Sequence, residues 1–320
     1  MRIVKVRAFS LVSPTARGML GPPQDFPGRV HMAAKGVSSI LIPTDFSSGA
    51  ELAFDRALQL PLAPNAKITL LHVLPADIPG RLRKDAIADA EHGLERHLAH
   101  ARSLALERGL SPRQFVGDVV EGNAAQQVMK RANTVEADVI CIGRHGRRGV
   151  IDLFVGSTAT RVLRETDHPV LLVQLPATGP YQHPLFAVDP AHKATSVVKQ
   201  GLRLVDPATK HINVFHATPI PYEDFISITA DERVSMRKKF EQDGEKALKA
   251  TLKKLPGFGF HPVVRSGDAR SLVLEQAQSL GADLTVLGTH GRKGLKRVLM
   301  GSVAEWVLSH STSDVLIVRP

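Results

Sequence analysis

Residues 139–157 read VICIGRHGRRGVIDLFVGS, and residues 284–302 read LTVLGTHGRKGLKRVLMGS. Both stretches place an apolar run before the same glycine spacing, Gly-x2-Gly-x9-Gly-Ser, and each position of the second copy lies 145 residues after its counterpart. The same offset also relates pairs outside the motif: Gly122 and Gly267, Asp138 and Asp283, and the runs 170–173 and 315–318. A repeat of this kind predicts two copies of one domain.

Each glycine stretch has the properties of a phosphate-binding loop. The apolar run before it is typical of a buried parallel strand, and glycine lets the backbone turn sharply and approach a ligand closely. The last glycine and its serine open segments predicted as helices, over 157–165 and 302–309. Free N–H groups at a helix N-terminus bind anions. As an alternative, the glycines only shape a strand-to-helix connection, and Ser157 and Ser302 are simple N-caps.

The glycine spacing matches neither Gly-x4-Gly-Lys-Ser/Thr nor Gly-x-Gly-x2-Gly after an early strand. It resembles the motif of the universal stress protein family, which binds the ribose and phosphates of ATP. Three further segments carry the resemblance: ILIPTDFS at 40–47, LLHV at 70–73 and DHPVLLV at 167–173. The resemblance extends from about residue 36 to the C-terminus, as two tandem domains.

The resemblance implies one nucleotide site in each half, for ATP, ADP or AMP, with Mg²⁺ held by the phosphates. The residues it assigns in the first half are Thr44, Asp45, Val73, Gly143, His145, Gly146, Gly156, Ser157 and Thr158. Those in the second half are Asp189, Ala217, Gly288, His290, Gly291, Gly301, Ser302 and Val303.

Adenine and ribose recognition falls, by the same resemblance, to the two aspartates and to the backbone just after His72 and His216. A carboxylate suits this role because it accepts hydrogen bonds from an exocyclic amine or a ribose hydroxyl. The alternative for Asp45 and Asp189 is capping of the following helix. We expect the histidine rings to be packed and hydrogen-bonded, with their backbone as the contact to ligand.

Strands and helices alternate through both halves, which predicts an α/β fold of two tandem, doubly wound, parallel five-stranded sheets, Rossmann-like and similar to the adenine nucleotide alpha hydrolases. Predicted details include a capping box over Ser48–Glu51, long helices at 81–108 and 231–254, and a helix beginning at Pro190. The resemblance implies an internal pseudo-dimer in which 170–173 faces 315–318. The sequence leaves open whether whole chains form homodimers.

Domain boundaries follow from composition and from the resemblance. We place the first domain at 36–176, a Pro- and Gly-containing linker at 177–184 and the second domain at 185–320. Residues 1–35 contain one acidic residue, Asp25, and are expected to be poorly ordered. Translation starting at Met32 is an alternative explanation for this segment, and both are favoured over a targeting peptide.

Charge raises a competing hypothesis, since a net charge of +10 and a pI near 9.9 suit anionic partners. Part of the excess surrounds the glycine loops, where we expect it to neutralise triphosphate: Arg144, Arg147, Arg148, Arg292, Lys293, Lys296 and Arg297. Aromatic residues make up only 5%, and no nucleic-acid-binding spacing occurs, so nucleic acid is not favoured.

The single cysteine, Cys141, excludes an intramolecular disulfide and is expected to be an inert buried thiol. A reducing cytoplasm and no membrane partner are expected. No metal spacing and no shared catalytic carboxylate are found, because Asp152 lacks a counterpart in the second copy. With the resemblance, this leads us to expect a nucleotide-binding stress-response regulator that switches through nucleotide occupancy and has unknown protein partners, rather than an enzyme. The alternatives are a nucleotide-independent scaffold and a weak ATPase.

Overall fold

The computed structural model describes residues 4–5, 36–107, 110–144, 155–219, 229–255, 258–289 and 300–320. The first half contains β1 (Val4–Lys5), β2 (Val37–Thr44), α1 (Ser48–Gln59), β3 (Leu62–Leu74), α2 (Gly80–Glu107), β4 (Phe115–Glu121), α3 (Ala124–Thr134), β5 (Val139–Gly143), α4 (Ser157–Glu165) and β6 (Val170–Val173). The second contains β7 (Pro184–Ala187), α5 (Ala194–Leu202), β8 (His211–Thr218), α6 (Ala230–Leu252), β9 (Gly259–Ser266), α7 (Ala269–Ser279), β10 (Leu284–Gly288), α8 (Ser302–His310) and β11 (Asp314–Val318).

The described strands form one continuous sheet in the order β1-β4-β3-β2-β5-β6-β11-β10-β7-β8-β9. Within each half, five strands run parallel in the same relative order. Helices cover both faces, and successive strand residues face opposite layers, since Ile40 and Ile42 pack in one core cluster and Leu41 in the other. The predicted fold of two tandem, doubly wound parallel sheets is confirmed.

The two halves meet through their last strands. β6 and β11 pair antiparallel, with Val170 opposite Ile317 and Leu172 opposite Val315. Both strands are buried along their whole length, which explains why their side chains are almost continuously apolar. This pairing is the predicted internal pseudo-dimer contact.

Two predicted helix starts are wrong. The N-cap of α1 is Ser47, whose Oγ accepts the N–H of Ala50 at 3.3 Å, so the expected capping box over Ser48–Glu51 is out of register. In the second half, α5 begins at Ala194 and not at Pro190. Ala191 occupies the position of Ser47 there and offers no capping hydroxyl, and Lys193 adopts a left-handed conformation with φ of 49°.

In the N-terminal segment, Val4 and Lys5 pair antiparallel with Val119 and Asp118 of β4, at the edge of the sheet. The rest of 1–35 lies outside the described residues, and its predicted disorder stays a prediction. In the described part of the chain, no helix combines the length and apolarity that a membrane-crossing segment requires.

A buried polar cluster ties the junction between the halves together, with Asp314 at its centre. Oδ1 of Asp314 accepts the N–H groups of Gln174 and Leu175, both at 2.9 Å, and Oδ2 accepts the hydroxyl of Tyr181 at 2.7 Å. Arg56 of α1 forms an ion pair with the same carboxylate, Nε to Oδ2 at 3.2 Å, and stacks 4.3 Å from the Tyr181 ring centre. One carboxylate therefore joins both halves and the segment between them.

Burial raises the pKa of Asp314 above its ordinary value of 3.8, against the lowering effect of its hydrogen bonds and of Arg56. Between the ordinary and the raised pKa, the folded state holds a proton that the unfolded state has released. We expect the unfolding free energy of the wild type, relative to Asp314→Asn, to fall as pH rises through this window and then to level off. Urea unfolding of both proteins from about pH 4 to about pH 7 measures the difference, and a rise with pH would contradict it.

Candidate functional site

A cavity of about 400 Å³ lies at the carboxyl ends of the strands of the second half, the place where doubly wound sheets bind ligands. Its size is within the usual range for small-molecule sites. The predicted site residues that line it are Asp189, Ala217, Gly288, Gly301, Ser302 and Val303. The fold thus brings together residues from the ends of β7, β8 and β10 and the start of α8. His290 and Gly291 lie outside the described residues.

The N-terminus of α8 points into this cavity, since Gly301 and the next three residues all line it. Gly301 is the N-cap, and among the residues that the structure describes no side chain caps the helix. Its own N–H donates to the carbonyl of Thr289 at 3.0 Å. The first-turn N–H groups have no intrahelical partner and carry the positive end of the helix dipole, so this part of the cavity favours an anion.

The serines of the motif are not N-caps. Gly156 and Gly301 hold that position, and Ser157 and Ser302 are the first residues of their helices. The φ angles of the two glycines are −53° and −62°, values that other residues adopt readily, so backbone conformation does not require glycine. A glycine at the helix N-terminus also lets a ligand approach the backbone closely.

Asp189 lines another part of the cavity, at the end of β7. Its Oδ1 accepts the N–H of Ala191 at 3.0 Å, and its Oδ2 accepts Nδ1 of His192 at 2.9 Å. His192 lines the cavity as well. It was not predicted as a site residue; the available signal was its position three residues after Asp189, a spacing that one turn brings together.

The histidines of β3 and β8 link these strands to the ends of β2 and β7. Nδ1 of His72 donates to the carbonyl of Thr44 at 2.8 Å, and Nδ1 of His216 donates to that of Val188 at 3.0 Å. Their rings are therefore hydrogen-bonded to the neighbouring strand, as expected.

The first-half site residues lie at the equivalent ends of β2, β3 and β5 and at the start of α4. Thr44 Oγ1 accepts the N–H of Phe46 at 3.0 Å, and Asp45 Oδ1 accepts that of Ser47 at 3.1 Å. Both side chains thus support the turn into α1, as the capping alternative anticipated, although Ser47 and not Asp45 is the N-cap. Gly156, Ser157 and Thr158 open α4, and Val73 lies near the end of β3. His145 and Gly146 are outside the described residues.

The first glycine of the motif has different surroundings in the two halves. A Cβ added at Gly143 would lie 2.2 Å from the carbonyl oxygen of Gly49, because the first turn of α1 packs against the end of β5. At Gly288 the nearest atom would be Cγ2 of Val197 at 3.1 Å. Since α5 begins two residues later than α1 in the aligned register, backbone that fills this position in the first half is absent in the second.

Alanine substitution should lower the unfolding free energy more at Gly143 than at Gly288. We expect Gly143→Ala to destabilise the protein by roughly 2–4 kcal/mol, because its Cβ meets backbone that must move, and Gly288→Ala by about 1 kcal/mol or less, because only a side chain must give way. Denaturant unfolding of the two variants and the wild type measures this difference. Equal losses would contradict the difference in packing.

The guanidinium of Arg144 is bound to the second half of the chain, contrary to its expected role in neutralising triphosphate. The side chain is buried, and its guanidinium crosses to the second half, where Nη2 donates to the carbonyl of Ser309 at 2.7 Å and Nη1 to that of Ser311 at 3.0 Å. These carbonyls are at the C-terminal end of α8, which needs donors from outside the helix. Arg144 is thus a C-terminal cap for a helix of the other half.

The second half makes the reciprocal contact with the first. Nη2 of Arg319 donates to the carbonyl of Leu163, at the C-terminal end of α4, at 2.8 Å. Each helix that follows a glycine loop is therefore capped by an arginine from the opposite half. The other basic loop residues, 147, 148, 292, 293, 296 and 297, lie outside the described residues.

Removal of the Arg144 cap should weaken the whole protein. We expect Arg144→Gln to lower the unfolding free energy by roughly 2–4 kcal/mol, since two charge-assisted hydrogen bonds are lost, the one to the Ser309 carbonyl and the one to the Ser311 carbonyl, which keeps Gln174 as its other donor. Arg161→Gln is the matched control: this exposed arginine pairs with Glu165 four residues on and should contribute less than about 0.5 kcal/mol. Denaturant unfolding measures both, and similar losses would contradict the role of Arg144.

Cys141 is fully buried in β5, and burial raises the pKa of its thiol strongly, which makes it a poor nucleophile. Among the residues that the structure describes, no three His, Cys, Asp or Glu side chains are grouped so that they could hold a metal ion. Asp152 is outside the described residues.

Comparisons with known proteins agree with this architecture. The model of the family described as "Universal stress protein family" matches residues 36–174 and again 180–319. Universal stress protein A homolog 1 of Coxiella burnetii is 32% identical over 143 residues, which are 43% of this chain and 96% of the relative. A universal stress protein of Mycolicibacterium smegmatis is 24% identical over 305 residues, covering 88% of this chain and 97% of the relative.

Among solved structures, a universal stress protein from Archaeoglobus fulgidus aligns with a TM-score of 0.61 and 18% identity, over 88% of this chain and 98% of that one. A universal stress protein from Pseudomonas aeruginosa aligns with a TM-score of 0.59 and 21% identity, over 90% and 95%. At these identities the likeness concerns the fold.

Proposed function

The chain belongs to the universal stress protein family, and from this premise we propose that its second half binds an adenine nucleotide, ATP or its ADP and AMP relatives. One observation carries the proposal: all six of its described, predicted site residues in that half line one cavity beside a helix N-terminus whose N-cap is glycine. We also propose the domain division 36–176, 177–184 and 185–320, close to the two matched segments.

The cavity offers a different chemistry at each end. The start of α8 and the hydroxyl of Ser302 suit phosphate, while Asp189 and the backbone of Ala217 suit the hydrogen-bonding groups of adenine and ribose. Between them, apolar side chains such as Phe215, Val273 and Leu287 suit the faces of a purine. Any accompanying Mg²⁺ is proposed to be held by the phosphates.

We further propose that nucleotide occupancy acts as a signal. Residues 147–155 and 292–300 follow the strands that end at the candidate sites and would order around bound phosphate, which gives protein partners a surface that reports occupancy. Because Gly143 is packed against α1, the second half is proposed as the principal nucleotide site.

The test begins with the freshly purified full chain, which is denatured so that bound small molecules can be identified by mass spectrometry. We expect an adenine nucleotide, and we expect Gly301→Val to weaken ATP binding by about tenfold or more, because the side chain blocks the start of α8. Gly156→Val is the matched control at the same motif position of the first half and should leave the second-half site loaded.

Limited proteolysis of the same samples tests the switch, since ATP should slow cleavage within 292–300 in the wild type and not in Gly301→Val. Unchanged cleavage with ATP bound would remove the switch from the proposal. A protein that is purified empty and takes up no added ATP would overturn nucleotide binding and support a nucleotide-independent scaffold of the same fold. Release of ADP from ATP would indicate a weak ATPase.

A further inference from the structure

Within the described residues, the candidate sites differ in one turn, the one from β2 to α1 in the first half and from β7 to α5 in the second. In the first half the residue aligned with His192 is Ser48, which is already helical. In the second half His192 precedes α5, and its N–H donates to the carbonyl of Asp189 at 2.9 Å. Because α5 begins later than α1, the second half has His192 before the helix, and its side chain lines the cavity at the position where the first half is already helical.

The hydrogen bond to Asp189 determines which nitrogen of the His192 imidazole carries a proton. A carboxylate only accepts hydrogen bonds, so Nδ1 of His192, 2.9 Å from Oδ2 of Asp189, carries the ring proton. In the neutral ring, Nε2 then has a lone pair and no proton. With the ring neutral, the Asp189–His192 pair thus offers a hydrogen-bond acceptor at Nε2, and both side chains are partly exposed and line the cavity.

We infer that His192 is a specificity-determining residue of the second-half site, whose Nε2 accepts a hydrogen bond from a donor of the nucleoside. The adenine exocyclic amine and the ribose hydroxyls are the donors of that class. This inference rests on the proposed nucleotide binding and deepens it, because it assigns selectivity to a residue outside the glycine motif. Asp189 then has two roles, since its carboxylate positions the imidazole as well as lining the cavity.

The hydrogen bonds of three other side chains, Asp268, His216 and Lys193, are compatible with this role of His192. Asp268, which also lines the cavity, accepts hydrogen bonds from the N–H and Nε of Arg270 at the start of α7. Nδ1 of His216 is bound to the carbonyl of Val188. Lys193 points elsewhere, since its Nζ donates to the carbonyl of Pro320 at 2.9 Å.

The decisive variant is His192→Asn, because the asparagine amide keeps a donor near Asp189, in the place of Nδ1, and has no atom in the place of Nε2. His92→Asn, at an exposed position on α2 of the first half, is the matched control. Calorimetric titration of the full chain with ATP, ITP, 2′-deoxy-ATP and 3′-deoxy-ATP gives the affinities. ITP replaces the exocyclic amine by a carbonyl, and the deoxy compounds each lack one hydroxyl.

We expect the wild type and His92→Asn to prefer ATP over one of the three analogues by about tenfold, the equivalent of one hydrogen bond, and His192→Asn to lose that preference. Loss of discrimination against ITP assigns Nε2 to the base, and loss against a deoxy analogue assigns it to the ribose. Unchanged ratios in His192→Asn, with ATP still bound, would overturn the inference and leave the nucleotide site standing. A wild type that binds no ATP would overturn both.

A measurement on the wild type tests the same contact without depending on the folding of a variant. In ¹⁵N-labelled protein, the Nε2 resonance of His192 should move in the direction of a hydrogen-bonded acceptor when ATP is added. A resonance that stays in place at saturating ATP would contradict the contact. His192→Ser, which introduces the residue of the first half, is the second variant and should show the same loss of preference as His192→Asn.

Discussion

The antiparallel pairing of β6 with β11 is the contact on which the remaining architecture depends. It converts two five-stranded sheets into one and buries the last strand of each half, which would otherwise be an exposed apolar edge. Once these strands pair, the ends of α4 and α8 lie within reach of the opposite half, and Arg319 and Arg144 cap them. Asp314 adds a buried centre that ties the linker region to both halves.

The reciprocal caps link the candidate sites to the domain junction. Arg144 directly follows β5, and its carbonyl accepts the N–H of Gly156 at 2.9 Å, so the residue closes the first glycine loop while its guanidinium caps α8. The other end of α8 lines the second-half cavity. One helix therefore contacts both the candidate ligand site and the start of the loop in the opposite half, which gives the pseudo-dimer a structural role in the site as well as in stability.

Repetition of a motif does not give two equal sites in this chain. The glycine spacing is the same, yet α5 begins two residues later than α1, and the first glycine of the motif packs against backbone in the first half and against the Val197 side chain in the second. The cause is local: Ser47 supplies a capping hydroxyl, whereas the second half has Ala191 and a left-handed Lys193. A small change in capping thus accompanies a change in the groups near the first glycine, with His192 lining the second-half cavity where the first half has helical Ser48.

Much of the fold could be predicted from the sequence, because buried strands, glycine turns and helical periodicity are local properties that leave local patterns, and a repeat doubles each signal. The helix at 157–165 follows from such patterns, whereas the grouping of Asp189, Gly288, Gly301 and Ser302 at the carboxyl ends of the strands is expected from the family resemblance. The direction of the Arg144 guanidinium, the packing beside Gly288 and the pairing of His192 with Asp189 follow from neither. They depend on which atoms meet across the halves and where a helix begins, distances that only the packed tertiary structure determines.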